Sequence, residues 1–286
     1  YDSVGISPMA GLAEAMGGTL AYAPDTPPSV LKHPLSNWDE LDKLIPPDPL
    51  KDGRLPLYFE AMERIRDAVG HEVKVGSGMG GPMSVASLVI GTENLLMGMI
   101  KKPDQVHQLL QFSTDIIISY MEFCAQRGFG CSMGDGLLSN SLISTRLFRQ
   151  FVRPYLQQIA DWYRDRWGRS PSMHICGDTK NIWADMAEIG FGRLSIDDMM
   201  SLAEAKKVVG HVSSLKGNVS PTRVLLFGTP EEVHKASFRC LNEAADNPKG
   251  FTLSTGCNLA WDTPPENIQA MLDAARIWYE NRNREV

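Results

Sequence analysis

The sequence predicts an α/β fold, a (β/α)8 TIM barrel whose first strand lies outside this chain, on three observations. Short apolar runs alternate with helical stretches along most of the 286 residues. Helices fall between all successive strands after about residue 70. Polar side chains stand at the ends of five strands: Asp135, His174 with Cys176, Asp197, Asn218 and Cys257. Repeated strand–helix units make a parallel sheet covered on both faces. Open doubly wound sheets share that signature, but polar groups at the strand ends favour a barrel, whose active sites sit at the carboxyl ends of its strands.

Each element has its own sequence warrant. Tyr1–Ser7 is a short β-like run ended by Pro8, and Met9–Met16 reads as helical up to Gly17-Gly18. From Pro24 to Pro56 proline recurs often enough to resist regular structure. Leu57–Val69 is an amphipathic helix with Leu57, Ala61, Ile65 and Ala68 near one face. Val73–Met79 is a strand, and Gly80-Gly81-Pro82-Met83 is its exit loop. Helical stretches follow near Val85–Ile100 and Pro103–Gln126, then a strand and its loop at Cys131–Gly136. Arg146–Trp167 is a long helix with a kink or break expected at Pro154. Next come the strand of His174, a helix Asn181–Ile189, the strand Arg193–Asp197, a helix Leu202–Val209 and the strand Val212–Val219. A helix Pro230–Asp246 leads to the strand Phe251–Cys257, and the last helix runs from Pro264, suitably placed in its first turn, to about Asn281. That makes seven strands. The eighth is expected before Tyr1, in a lost N-terminal piece, because the chain does not begin with Met.

The length suits a single barrel domain over 1–286. Hydrophobic residues at 43% and charged ones at 22% are those of a globular protein with a full core. A net charge of -6 gives no reason to expect nucleic acid. No run approaches the roughly 18 apolar residues of a membrane span, and no signal peptide is visible. Five unevenly spaced cysteines argue against a disulfide framework and for a reducing cytoplasm.

Chemistry centres on Ser172-Met173-His174-Ile175-Cys176-Gly177-Asp178. Side chains two apart on a strand share a face, so an imidazole and a thiol stand side by side. Cys257 closes another apolar run that ends at a glycine. The three together are a donor set for zinc, although a buried cysteine and a hydrogen-bonded core histidine would satisfy the same pattern. Cys124 and Cys240 fall within helical periodicity as packing residues. Asp135, between two glycines, is either a turn residue or a carboxylate serving as fourth ligand, as partner to His174 or as substrate anchor. Asp197 and Asn218 invite the same two readings, as turn residues or as groups facing the substrate. Methionines near strand ends, Met79 among them, are core filler or an adaptable wall for a large planar ligand. The glycines at 76, 78, 80 and 81 form no dinucleotide fingerprint, and no G-x-S-x-G elbow appears.

His174-Ile175-Cys176-Gly177, Lys216-Gly217-Asn218-Val219-Ser220-Pro221, Gly228-Thr229-Pro230-Glu231-Glu232-Val233 and Gly256-Cys257 with Thr263-Pro264-Pro265-Glu266-Asn267 resemble the uroporphyrinogen decarboxylase superfamily. The resemblance covers the chain from about Asp2 onward and implies a (β/α)8 barrel whose second strand begins near Asp2. In its tetrapyrrole decarboxylases no metal is needed, a histidine replaces Cys257, and a catalytic aspartate aligns at Ser3, with Asp2 adjacent. Its other branch, similar to methylcobamide:coenzyme M methyltransferases, holds zinc through H-x-C and a distant cysteine, matching His174, Cys176 and Cys257 one for one. The resemblance therefore implies a zinc-dependent methyltransferase. It would move a methyl group between a corrinoid (methylcobalamin) carried by a partner protein and a small thiol or methoxy or methylated substrate. Tetrapyrrole decarboxylation and a non-catalytic docking barrel are the competing expectations.

Overall fold

The computed structural model describes residues 3–23 and 26–284; Asp2, next to the position that the resemblance gives to a catalytic aspartate, lies outside them. The chain forms two compact units, one of residues 1–135 with 146–167 and one of 136–145 with 168–286.

The first unit carries three parallel strands. β1 (Ser3–Ile6) pairs with β4 (Lys74–Gly80), Ser3 facing Lys74, and β4 pairs with β5 (Gly130–Gly134), Met79 facing Met133. After β1 comes α1 (Met9–Ala15). The proline-rich segment and the residues just before it are more regular than expected. Thr19–Ala21 (β2) and Ser29–Lys32 (β3) form an antiparallel pair, and Trp38–Lys43 is a 3-10 helix capped by the Asn37 side chain. Prolines flank these pieces rather than entering them.

α2 (Leu55–Val69) begins two residues earlier than expected, with Pro56 in its first turn, and that start resets its inner face. Leu55, Phe59 and Met62 are buried, whereas Leu57 is 57% exposed. The predicted helix near Val85–Ile100 is two helices, α3 (Pro82–Ile90) and α4 (Thr92–Lys101), bent by 104° at Gly91. Pro82 and Met83 therefore open α3 instead of forming a loop. α5 (Pro103–Gln126) matches its predicted limits. The break foreseen at Pro154 takes the form of a π-helical turn, Phe148–Val152, between the short α6 (Thr145–Leu147) and α7 (Arg153–Trp167). Proline has no N–H for the carbonyl of Gln150 and its ring needs room there, which a widened turn supplies.

The second unit carries four parallel strands in sequence order: β6 (Ser172–Ile175), β7 (Arg193–Ile196), β8 (Ser214–Val219) and β9 (Phe251–Thr255). Its helices are α8 (Trp183–Ile189), α9 (Leu202–Val209), α10 (Pro230–Ala244) and α11 (Pro265–Arg284). Thr229 and Glu232 close a capping box at the start of α10. Met173, Ile175, Leu194, Ile196 and Leu215 alternate along the strands as one buried row, joined by Trp183, Leu202 and Val209 from the helices. The intervening positions share the opposite face, where the chemistry lies. Among the described residues no single helix is long and apolar enough to cross a membrane.

Candidate metal centre

Three side chains of the second unit converge. His174 is the third residue of β6, Cys176 lies one residue past its end, and Cys257 lies two past the end of β9. His174 Nε2 is 3.2 Å from Cys176 Sγ, and Cys176 Sγ is 3.7 Å from Cys257 Sγ. All three donor atoms fall within 4.8 Å of one another. Zinc at its usual bond lengths in a tetrahedron sets two thiolates about 3.8 Å apart and a nitrogen about 3.5 Å from each sulfur. The two edges of 3.2 and 3.7 Å are close to those of that tetrahedron and the third is no longer than 4.8 Å, so these residues fit the ion. Among the described residues this is the one such group of three or more His, Cys, Asp or Glu donors. All five cysteines are free thiols.

The donors are primed electrostatically. A hydrogen bond with the Cys176 thiol, and a second with His174, lower the Cys257 thiol to about 4, against the opposing effect of its partial burial. A group that readily gives up its proton is a ready metal ligand.

Backbone geometry places them. Gly177, directly after Cys176, has φ +76, and a Cβ there would stand 2.7 Å from Ser139 Oγ. The chain can turn out of β6 at that point only with glycine. Gly256, directly before Cys257, passes so close to the backbone nitrogen of Asp198 that any side chain would collide. Its N–H donates to the Val219 carbonyl at 2.9 Å, and the Thr255 hydroxyl donates to the Cys257 carbonyl at 2.6 Å.

Asp197 is buried, its Oδ2 accepting the Gly177 N–H at 2.8 Å and its Oδ1 the Met199 N–H at 3.1 Å. The buried Asn218 amide donates to the carbonyls of Asp197 at 3.0 Å and Met200 at 2.7 Å, while its oxygen accepts from the Cys240 thiol at 3.5 Å. Both were read as turn residues or as groups facing the substrate; apart from the Cys240 contact, their bonds run to loop backbone. Asp135 belongs to the first unit. It is buried and accepts from the N–H groups of Met83 (3.0 Å) and Ser84 (3.2 Å) and from the Ser84 hydroxyl (2.7 Å). Its carboxylate thus sits at the N-terminus of α3, where a helix favours negative charge. Met79 is buried in β4, and Ser3 is exposed at the first position of β1.

Sequence reasoning passed over Lys216. Register places His174, Ser195, Lys216 and Thr252 side by side on four adjacent strands, so their side chains share one face. Burial, with the nearby charge of Arg193, pushes the Lys216 ammonium below its ordinary range. The available signal was a lysine alternating with Leu215 and Gly217 in an apolar strand.

The uroporphyrinogen decarboxylase (URO-D) family model matches residues 2–278. A methylcobamide:CoM methyltransferase, MtaA, of Methanosarcina barkeri is 33% identical over 94% of this chain and 77% of its own length. A uroporphyrinogen decarboxylase of Aromatoleum aromaticum is 28% identical over 91% of this chain and 73% of its own. Among solved structures, a methyltransferase from Methanosarcina mazei superposes with a TM-score of 0.84 at 32% identity, covering 94% of this chain and 78% of that one. The barrel-type α/β fold expected from the strand–helix alternation is thereby confirmed. Taken with the parallel strands of both units, these matches show that the chain belongs to the uroporphyrinogen decarboxylase family.

Proposed function

We propose that the chain is a zinc-dependent methyltransferase that moves a methyl group between a corrinoid protein and a small thiol or methylated substrate. The observation that carries the reading is the convergence of the His174, Cys176 and Cys257 donor atoms within 4.8 Å of one another. Relatives named for methyl transfer between a methylcobamide and coenzyme M support it. The same donor set separates it from tetrapyrrole decarboxylation, which in this family needs no metal.

Two thiolates and a neutral imidazole would hold the ion with no net charge and leave one tetrahedral position for substrate. Zinc so bound supplies a Lewis acid that lowers the proton affinity of a ligated thiol. The protein's part is to keep Cys176 and Cys257 aimed at one point: Asp197 fixes Gly177, Asn218 fixes the loop that carries Asp197, and Gly256 with Thr255 fixes Cys257. The net reaction exchanges a cobalt–carbon bond for a sulfur–carbon bond and releases the thiol proton, or runs in reverse. The corrinoid arrives on a partner protein, and free thiols call for a reducing compartment such as the cytoplasm.

Elemental analysis tests the reading first. About one zinc per chain is expected, lost in Cys257→Ser together with methylcobalamin-dependent methylation of thiols. A Cys257→Ser protein that binds zinc and transfers methyl groups like the parent would overturn it.

A further inference from the structure

We propose that Cys124 and Cys131 form an oxidant-sensitive dithiol, a modification site of the first unit that peroxide closes to a disulfide. Neither residue is one of the metal donors, which belong to the second unit, and the proposal stands whether or not the methyltransferase reading does.

Local geometry brings the two sulfurs together. Cys124, in the last turn of α5, is fully buried. Its carbonyl accepts the N–H groups of Arg127 at 3.1 Å and Phe129 at 2.9 Å, and Gly128 between them has φ +77. The chain therefore reverses at once, and Cys131, the second residue of β5, returns to the helix end just left. Register sets Cys131 beside Ser77 of β4, so the two side chains share a face. Ser77 Oγ is 2.9 Å from the hydroxyl of Tyr120, one helical turn before Cys124, so that face looks onto α5. There the thiols of Cys124 and Cys131 hydrogen-bond to each other.

The pair is also set up for oxidation. Its mutual hydrogen bond, helped by one with Tyr120 and by the Arg127 guanidinium, lowers the Cys124 thiol against the effect of burial. The same bond holds the proton of Cys131 and pushes that thiol up. One proton thus leaves readily, and the charge can pass between the sulfurs along their hydrogen bond. Cys131 is half-buried between the exposed Gly130 and Ser132, and is the sulfur that an oxidant meets. Its thiolate attacks one oxygen of hydrogen peroxide, the O–O bond breaks, and the departing hydroxide takes the proton left on Cys124 to form water. The Cys124 thiolate then attacks the sulfenic sulfur of Cys131. The S–O bond breaks, and the hydroxide released becomes a second water on regaining the proton first lost. The dithiol gives up two electrons and two protons, and one peroxide becomes two waters.

The test is a timed exposure of the folded, reduced protein to hydrogen peroxide, followed by alkylation of the remaining thiols in denaturant and peptide mapping by mass spectrometry. Trypsin cuts after Arg127, so the peptides of Cys124 and Cys131 separate unless a disulfide joins them. The two peptides should appear joined, and part again with dithiothreitol. Cys240 is the internal reference, a buried thiol of α10 that donates to the Asn218 oxygen and that burial pushes up. Cys124 should leave the free-thiol pool roughly tenfold faster than Cys240. In Cys131→Ser that advantage should vanish. Peptides that stay apart while either sulfur gains oxygen overturn the proposal, as does a Cys124 that reacts no faster than Cys240 in the parent or no slower in Cys131→Ser. If Cys131→Ser does not fold, the map of the parent decides alone. Because each cysteine is read separately, oxidation of Cys176 or Cys257 is scored apart from that of this pair.

Discussion

The carboxylate of Asp197 meets the backbone twice and no charged partner in those bonds, which defines what its loss should do. In Asp197→Ala the part-buried N–H of Gly177 loses its acceptor, and Cys176 loses the restraint on its following residue. Removing such an outer support typically costs a metal site roughly 10- to 100-fold in affinity. Competition with a chromogenic chelator should show a loss of that size for Asp197→Ala and a smaller one for Asp197→Asn, which keeps an acceptor oxygen. Wild-type zinc affinity in Asp197→Ala would refute the positioning role. The donors themselves were legible in the sequence, because a period of two puts His174 and Cys176 on one side and Cys257 ends a comparable run. Lys216 was not, because a lone lysine in a strand usually reads as a solvated position. Only the pairing of Lys216 with Ser195, and of Ser195 with His174, shows what it faces. Asp135 was read as a turn residue or a ligand; its bonds to Met83 and Ser84 make it a helix-terminal anion, a role invisible before α3 was known to start at Pro82.

At the level of elements, the segments that carried the family resemblance turn out to include the ties between loops and helices. Asn267, in the first turn of α11, is buried and donates to the carbonyls of Leu225 and Gly228 at 2.9 and 2.8 Å. It thereby fastens α11 to the segment between β8 and α10, much as Asn218 fastens the loop after β7. Replacing it by alanine leaves one buried and one part-buried carbonyl unpaired, a cost of about 2–4 kcal/mol. Asn267→Asp keeps the shape but turns acceptors toward acceptors, so it should destabilise at least as much at neutral pH. Urea unfolding measures both, and an aspartate variant as stable as wild type would remove the explanation. Helix starts were well marked where Pro103, Pro230 or a capping Thr229 stands at the boundary. They were poorly marked at α2, where ranking apolar residues from Leu57 instead of Leu55 chose the wrong face. The β2–β3 pair went unread because both runs are too short to show a strand period and prolines crowd around β3.

Across the chain as a whole, seven parallel strands are present among the described residues, as counted from apolar runs and turn residues. That count was legible because every run is short, bounded by glycine or proline, and separated from the next by a helical period. Convergence was not, since register and loop course decide which strand ends meet. One such meeting has a thermodynamic consequence. Cys176 and Cys257 are 81 positions apart, at the first and last strands of the second unit. An ion held by both is a cross-link, and it closes a long loop that the unfolded chain would otherwise explore freely. On the chain-entropy scale for covalent bridges, a loop of this length corresponds to roughly 4.5 kcal/mol. Zinc should then act as a clasp on stability as well as a reagent: its removal by a chelator should lower Tm by several degrees, and Cys257→Ser should melt at one temperature with or without the metal. Equal melting of the zinc-loaded and zinc-free parent would mean that the site is held open by its loops whether or not the clasp is fastened.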